Sequence, residues 1–363
     1  MLTRSVLVAS LVFVAACSPN ADEASEGAGG AGAVGGSNTG GASGSVGGGG
    51  SGAGTGGQGG SYVPSPGTLH EHETFEHDGG TRTYHFYEAG GQEEFARPLV
   101  LVLHGGSAMI DAFIGKSGGA APMGRAWLAQ ADKHGLHVAI PQGLAGSGTA
   151  HWNDCRGDCT HCGDEDDSGF LVELVDELSE TYNVDPKRIY VAGESNGGFM
   201  SLRLAQEHPD VFAAFGPVIA LMPADNKCAA ATAPASVVFV LGTEDATSVY
   251  KGGEAVLAAS GTMLSADDSI AYWLSKGECE DTPEVFEVPD VSQDDATTVT
   301  RFRHDCPATG KQVMRYRVDG GGHVPPSIAE QVTAFWESLV GKQNHDIETA
   351  AELWNFFEAN PAQ

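Results

Sequence analysis

Five residues near the middle of the chain, Gly193-Glu194-Ser195-Asn196-Gly197, have the types and spacing of a nucleophilic serine on a tight turn. The apolar run 189–192 before them predicts a buried strand, and the run 199–207 after them is compatible with a helix. A glycine on each side permits a turn that side chains would block, and this turn would place the Ser195 hydroxyl at the positive N-terminal end of the helix. The pattern therefore predicts a nucleophile at Ser195 rather than an ordinary serine in a strand-to-helix turn.

An acid and a histidine follow this serine in chain order. Asp245 lies in the loop after the apolar run 236–241, and His323 lies on a glycine-rich turn after the alternating run 313–318. A histidine can take the proton of a serine hydroxyl, and a carboxylate can orient that histidine. We therefore predict a catalytic triad of Ser195, Asp245 and His323, with Glu244 as the alternative acid.

A second glycine-containing loop, His104-Gly105-Gly106-Ser107, follows the apolar run 98–103. Acyl transfer needs backbone N–H groups directed at the oxygen that becomes negatively charged. We predict that these N–H groups belong to Asn196, which follows the nucleophile, and to Gly106, with Ser107 as the alternative to Gly106. His104 is expected to hold the loop by hydrogen bonding rather than to take part in catalysis.

Strand and helix patterns alternate along the rest of the chain. This alternation predicts an α/β fold with a mainly parallel sheet that is covered by helices on both faces. The predicted strands are 81–87, 99–103, 137–140, 189–192, 212–219, 237–241 and 314–318, and the predicted helices are 123–134, 170–182, 199–207, 266–275 and 328–339.

Together with Trp152-Asn153 and Asp166-Asp167-Ser168-Gly169-Phe170, these motifs make residues 80–340 resemble the secreted polyhydroxybutyrate depolymerase and feruloyl esterase-like family. The resemblance implies an α/β-hydrolase fold and hydrolysis of carboxylic esters through an acyl-enzyme, with no metal and no cofactor. It implies a substrate that is either a polyester or a feruloyl or acetyl ester of a plant polysaccharide. The alternatives are a serine peptidase of the prolyl-oligopeptidase type and a non-catalytic polysaccharide-binding surface lipoprotein.

The chain departs from this family close to the expected pocket. The family often has Val-Pro-Tyr-x-Gly-Gly after the acid, where this chain has residues 248–253 without the proline, and often a tryptophan soon after the histidine, where this chain has Val324-Pro325-Pro326. The aromatic residues that we consider as pocket walls are Trp152, Phe199 and Tyr250.

The N-terminal part of the chain predicts export. Residues 1–17 read as a signal peptide whose last residues, Val14-Ala15-Ala16-Cys17, resemble a bacterial lipobox, so we expect lipidation at Cys17 and a membrane anchor. A plain secretory signal is the alternative. Residues 18–67 are rich in glycine and serine and predict a disordered tether, followed by a catalytic domain at 68–341 and a C-terminal extension at 342–363.

The net charge of −29 argues against nucleic acid as a partner, because binding the phosphate backbone requires clustered Lys and Arg. Neutral esters, including polymeric ones, are compatible with this charge. We expect a monomer.

The cysteine content is typical of an exported protein with disulfide bonds. Seven cysteines become six if Cys17 carries lipid. We expect Cys279 and Cys306, which flank an acidic segment, to pair with each other, and the pairing of Cys155, Cys159, Cys162 and Cys228 remains open. The alternative is a zinc site formed by the cysteines of 155–162 and His161.

Overall fold

The computed structural model describes residues 65–91, 95–144, 150–160, 162–255 and 261–363. A ten-stranded sheet crosses this part of the chain, and a small two-stranded sheet accompanies it. The strands are β1 (Thr68–His77), β2 (Gly80–Glu88), β3 (Arg97–Leu103), β4 (His137–Pro141), β5 (Val184–Glu194), β6 (Ala214–Val218), β7 (Ser236–Gly242), β8 (Gly253–Glu254), β9 (Thr262–Met263), β10 (Glu284–Glu287), β11 (Thr298–Cys306) and β12 (Lys311–Asp319).

The large sheet has the strand order β1-β2-β4-β3-β5-β6-β7-β12-β11-β10. Its six central strands, from β4 to β12, pair in parallel, whereas the two outer strands on each side pair antiparallel. Every residue of β3, β4, β6 and β7 is buried. This burial explains why the central strands read as continuous apolar runs.

Helices cover both faces of the sheet. They are α1 (Ile110–Phe113), α2 (Gly124–His134), α3 (Asp167–Thr181), α4 (Asn196–Glu207), α5 (Ala266–Gly277), α6 (Ala334–Val340) and α7 (Thr349–Ala359). One buried cluster contains apolar residues of α3, α4 and α5, and a second contains apolar residues of α2 and α7. The predicted α/β-hydrolase architecture, a mainly parallel sheet between two helical layers, is confirmed.

The predicted helix at 328–339 is wrong in its first half, because α6 begins only at Ala334. The backbone N–H groups of Ile328 and Ala329 both donate to the Glu348 carboxylate, at 3.1 and 3.2 Å. Side-chain acceptors of this kind offer the backbone an alternative to helical hydrogen bonds. The helix then starts where Thr333 provides its N-cap.

The C-terminal residues belong to the same packing unit as the predicted catalytic domain. Leu353, Trp354 and Phe357 of α7 are buried in the cluster that also holds Trp127 of α2. The C-terminal extension that we predicted from residue 342 therefore packs on this cluster through α7.

The predicted signal peptide, Cys17 and the tether up to residue 64 lie outside the described residues. Within the described part, no helix has the length and apolar character needed to cross a membrane.

Candidate active site

Ser195 lies at the junction of β5 and α4 in a backbone conformation that L-residues rarely adopt, with φ 51° and ψ −118°. The neighbouring glycines make this turn possible. A Cβ atom on Gly193 would lie 2.3 Å from the carbonyl oxygen of Gly197, and a Cβ atom on Gly197 would lie 2.3 Å from that of Leu103. The Ser195 N–H donates to Val218 of β6 at 2.9 Å, which fixes the turn against the sheet.

A chain of hydrogen bonds joins the three residues of the predicted triad. The Nε2 atom of His323 lies 2.8 Å from the Oγ atom of Ser195, and its Nδ1 atom lies 2.7 Å from the Oδ2 atom of Asp245. The Asp245 side chain is 1% exposed, and its Oδ1 atom accepts the backbone N–H groups of Thr247 and Ser248, both at 2.7 Å. With the carboxylate accepting at Nδ1, Nε2 is left as the acceptor for the serine hydroxyl.

Glu244, the alternative acid, is placed differently. Its side chain is exposed, and its backbone N–H donates to the carbonyl of Gly321 at 2.9 Å. The carboxylate that accepts from His323 is that of Asp245.

The loop that carries His323 is held by the C-terminal end of α6 and the residues just after it. The His323 N–H donates to the carbonyl of Val340 at 2.6 Å, and the Gly322 N–H donates to that of Lys342 at 2.9 Å. A Cβ atom at Gly322 would lie 2.2 Å from the Val340 oxygen, so this close approach requires glycine.

The two loops that carry the predicted oxyanion donors lie side by side. Asn196 is the first residue of α4, so its N–H has no partner within the helix. Gly105, beside Gly106, approaches the nucleophile: a Cβ atom there would lie 3.6 Å from that of Ser195. Ser107, the alternative donor, is already engaged, because its N–H donates to Ala150 at 2.6 Å. This leaves Gly106 and Asn196 as the candidate donors.

His104 has the structural position that the sequence suggested. It is fully buried, its Nδ1 lies 2.7 Å from the Gly105 carbonyl oxygen, and its Nε2 accepts the Gly143 N–H at 2.9 Å. Burial lowers its pKa to about 4, so the ring is neutral and holds one proton, on Nδ1. His104 therefore ties the glycine loop to the segment after β4.

Of the three aromatic residues that we considered as pocket walls, two are buried in the core. Trp152 is fully buried, and its indole N–H donates to the His104 carbonyl at 3.0 Å. Phe199 is also buried, with the Arg156 guanidinium stacked 4.1 Å above its ring. Tyr250 is partly buried and packs against the same apolar core. Trp152 thus contacts the glycine loop through His104, and Phe199 contacts Arg156.

Glu194 is a site residue that sequence reasoning missed. It lies next to the nucleophile, and its carboxylate reaches the glycine loop, where a Cβ atom on Gly105 would lie 3.5 Å from its Oε1. Burial raises the pKa of Glu194 from 4.5 to about 7, while the charge of His323 lowers it. Glu194 belongs to the 193–197 motif, but its burial depends on how the serine turn packs against the glycine loop at 104–107, and the sequence does not show this packing.

Replacing Glu194 with glutamine should stabilise the protein more at high pH than at low pH. A carboxyl group whose pKa is higher in the folded protein stabilises the fold while it is protonated. That contribution is complete below pH 4.5 and is lost as the pH rises through about 7. Glu194→Gln should therefore raise the melting temperature, relative to wild type, more at about pH 8.5 than at about pH 5. The exposed Glu244→Gln is the control, and an equal shift of Glu194→Gln at both pH values would contradict the assignment.

The six cysteines that the structure describes form three disulfide bonds. These are Cys155–Cys228, Cys159–Cys162 and the expected Cys279–Cys306. Three cysteines that could have held zinc are thus oxidised, and His161, the fourth candidate ligand, lies outside the described residues.

Two groups of described side chains have the composition of a metal site, and one of them, Cys155, Glu207 and Cys228, contains the Cys155–Cys228 disulfide. His72, His85 and Asp111 bring their ligand atoms within 4.8 Å of one another. However, Nδ1 of His85 accepts the His72 N–H at 3.1 Å, which leaves the proton on Nε2, and Nε2 lies 3.0 Å from Asp111. The His85 ring therefore serves as a hydrogen-bonding link in this geometry and presents no free ligand atom.

Comparison with known proteins gives the family. The chain is 30% identical over 293 residues to the protein named "Putative esterase NocK" of Nocardia uniformis subsp. tsuyamanensis, and the match covers 77% of this chain and 79% of that protein. The chain belongs to the esterase/depolymerase family of α/β-hydrolases. Like other members of this esterase/depolymerase family, it is a carboxylic ester hydrolase, as the sequence predicted.

Two further members of the esterase/depolymerase family have more specific names. The chain is 28% identical over 249 residues to poly(3-hydroxyalkanoate) depolymerase C of Paucimonas lemoignei, and 30% identical over 195 residues to feruloyl esterase B of Piromyces equi. The first match covers 63% of this chain and 55% of the depolymerase, and the second covers 52% of this chain and 34% of the feruloyl esterase. The chain thus spans about half or less of the length of these two relatives. Residues 141–227, which include Ser195, also match the prolyl oligopeptidase family model.

Proposed function

We propose that Ser195, His323 and Asp245 hydrolyse carboxylic esters through an acyl-enzyme. The observation that carries this proposal is the continuous hydrogen-bonded chain from Asp245 through His323 to Ser195, beside the N–H groups of Asn196 and Gly106. His323 Nε2 takes the hydroxyl proton as Ser195 Oγ attacks the ester carbonyl, and Asp245 stabilises the resulting imidazolium. The two N–H groups stabilise the tetrahedral oxyanion.

The second half of the reaction uses the same groups. The imidazolium of His323 gives its proton to the departing alcohol, which leaves the acyl group on Ser195. A water molecule then attacks the acyl carbon while His323 Nε2 takes its proton, and His323 returns this proton to Ser195 Oγ as the bond between the acyl group and Ser195 breaks. The carboxylic acid leaves, and the serine hydroxyl and the neutral histidine are restored with water as the only co-reactant.

For the substrate, we propose a neutral polymeric ester, with a polyester favoured over a feruloyl or acetyl ester of a polysaccharide. Helix α6 supports this choice, because it has no buried residue and presents Phe335, which is 72% exposed, together with Trp336 and Leu339. The C-terminal end of this helix lies at the catalytic loop, since Val340 accepts the His323 N–H. An apolar surface of this kind marks a site of interaction with apolar material.

A panel of substrates separates the possible activities. The full chain would be assayed on p-nitrophenyl esters of rising chain length, on poly(3-hydroxybutyrate) film, on methyl ferulate and on acetylated xylan. We expect the enzyme to release soluble hydroxyacids from the film. The specific activity of this release should exceed the specific activities for release of ferulate from methyl ferulate and of acetate from xylan. Because residues 141–227 match the prolyl oligopeptidase family model, the panel also includes the peptidase substrate succinyl-Gly-Pro p-nitroanilide. Amide cleavage without ester cleavage would contradict the proposal.

The exposed face of α6 should matter for the polymer and not for small esters. Phe335→Ser should lower the rate of film degradation several-fold and leave the hydrolysis of p-nitrophenyl butyrate unchanged, because the side chain would contact only an extended surface. Phe286→Ser is the matched control, since Phe286 is an exposed phenylalanine on the edge strand β10. Equal effects of the two substitutions on film degradation would remove the role of α6.

We further propose that the protein is exported and held at the cell envelope by lipid on Cys17. The support is the lipobox-like sequence, which ends in a cysteine after small residues, and the glycine-rich tether that follows it. Cys17→Ala should move the protein from the membrane fraction to the soluble exported fraction without changing its specific activity. Retention in the membrane fraction would point to another mode of attachment.

A further inference from the structure

We propose that Asp154 is a positioning residue that sets the oxyanion hole through the side-chain amide of Asn196. The inference rests on the proposed function, because it concerns the donors that would stabilise the oxyanion at Ser195. It assigns a role to Asp154 and Arg156, two buried polar residues that the triad mechanism does not use.

The amide of Asn196 is held by three hydrogen bonds to this segment. Its Oδ1 atom accepts the Trp152 N–H at 2.7 Å, and its Nδ2 atom donates to the Trp152 carbonyl at 3.1 Å and to Asp154 Oδ2 at 2.5 Å. Asn196 is buried, so these partners satisfy an amide that water cannot reach. Only a side chain that carries an acceptor and a donor on one group makes this set of contacts.

These contacts fix the start of α4. Asn196 supplies both the buried amide and the backbone N–H that would face the oxyanion, so a rotation that moves the N–H must break the amide contacts. The side-chain contacts of Asn196 therefore fix the orientation of its backbone N–H, which is one of the two candidate oxyanion donors. A misplacement of about 1 Å at such a donor can cost about 10²-fold in rate.

The same segment also holds the loop of the second donor. The carbonyl of Ala150 accepts the Ser107 N–H at 2.6 Å, and the indole of Trp152 donates to the His104 carbonyl at 3.0 Å. Gly106 lies between these two anchored residues. Residues 150–154 thus bond to the residues on either side of Gly106 and to the side chain of Asn196. They therefore set the distance between the two candidate oxyanion donors.

Asp154 is itself held rigidly. Arg156 donates to it from Nη2 at 2.6 Å and from Nε at 3.0 Å, and both side chains are almost completely buried. The Arg156 guanidinium also stacks on Phe199, which lies one helical turn after Asn196 on α4. A buried ion pair adds little net stability over an apolar equivalent, so the contact with Asn196 gives the pair a role other than stabilising the fold.

The test compares kcat with KM in variants of the full chain. Asn196→Ala removes the amide but leaves the Asp154–Arg156 pair, and it should lower kcat for p-nitrophenyl butyrate by about 10²-fold, as loss of an oxyanion donor does, with KM within about twofold. Affinity for phenylboronic acid, whose tetrahedral adduct with Ser195 mimics the oxyanion, should fall in parallel. Ser201→Ala is the matched control, because Ser201 is buried on α4 and its hydroxyl donates within the helix to Gly198 at 2.8 Å. It should keep wild-type kcat.

A double-mutant cycle separates a role through Asn196 from a role in folding. Asp154→Leu together with Arg156→Met removes the acceptor of the Asn196 Nδ2 atom without leaving an unpaired buried charge, and it should lower kcat about as much as Asn196→Ala does. Adding Asn196→Ala to this pair should lower kcat little further, because both changes act through the same amide. Active-site titration with diethyl p-nitrophenyl phosphate gives kcat per competent site, so partial unfolding does not alter the comparison.

Three results would overturn the inference. These are an unchanged kcat in Asn196→Ala, a rise in KM alone, and losses in kcat from Asn196→Ala and from the Asp154–Arg156 variant that add in full when the changes are combined. Ser195→Ala distinguishes this failure from that of the proposed function. If Ser195→Ala is inactive while Asn196→Ala is fully active, only the positioning role is lost. If Ser195→Ala remains active, the proposed function itself fails.

Discussion

Ser195→Ala should lower the hydrolysis of p-nitrophenyl butyrate by about 10⁴-fold or more, because no other group takes the place of the attacking oxygen. The Ser195 hydroxyl lies 2.8 Å from His323 Nε2, and alanine removes this one oxygen without disturbing the turn, whose backbone N–H bond to Val218 remains. The melting temperature should therefore stay close to that of wild type. The measurement is kcat/KM together with thermal unfolding of the same preparation.

Ser201→Ala serves again as the control, since it deletes a buried hydroxyl from the same helix. A Ser195→Ala variant that retains a tenth of the wild-type activity would contradict the assignment of the nucleophile. A variant that loses activity only together with its fold would show that the turn, rather than the hydroxyl, had been removed.

Asp245→Asn should cost about 10⁴-fold in kcat, whereas Glu244→Gln should leave kcat nearly unchanged. An amide at position 245 can keep the bonds that Oδ1 accepts from Thr247 and Ser248, so the fold tolerates it. Its NH₂ group, however, would donate to His323 Nδ1 and move the ring proton to Nε2. Nε2 could then no longer accept the proton of Ser195.

Steady-state kinetics of the two variants at equal pH decides between the acids. The substitutions are matched, because each replaces a carboxylate with an amide of the same size at adjacent positions. If Glu244→Gln were the more damaging change, the orienting role would pass to Glu244 despite its exposure.

The chemistry of the triad could be predicted because it depends on local sequence. Gly193 and Gly197 mark the turn at Ser195, and apolar runs mark the buried parallel strands that end at Asp245 and His323. Since the carboxyl ends of parallel strands meet at one edge of a sheet, chain order was sufficient to bring these side chains together.

The supports of the site could not be predicted, because they depend on tertiary contacts. Trp152 resembles a pocket residue in sequence, but its indole N–H bonds the carbonyl of His104, and this contact draws the ring into the core. The raised pKa of Glu194 likewise follows from burial between two loops. The bonds from Asn196 to Trp152 and Asp154 span more than forty positions and leave no local pattern.

Edge strands and the last helix were missed for different physical reasons. All four residues of β10 are exposed, so this strand has no alternation of buried and exposed positions to detect. Helix α7 does carry a buried apolar side, with Leu353, Trp354 and Phe357, but the sequence does not show what this side packs against. In the structure, its partners include Trp127 of α2.

Covalent trapping of the nucleophile shows which residue attacks the ester. The full chain would be treated with a fluorophosphonate, and intact mass, peptide mapping and residual esterase activity would be measured on the same samples. We expect one adduct per chain, located on Ser195, with activity falling in proportion to the adduct and no adduct in Ser195→Ala. Complete inactivation with the adduct on another residue, or a full adduct on Ser195 with esterase activity retained, would contradict the role of Ser195 as the nucleophile.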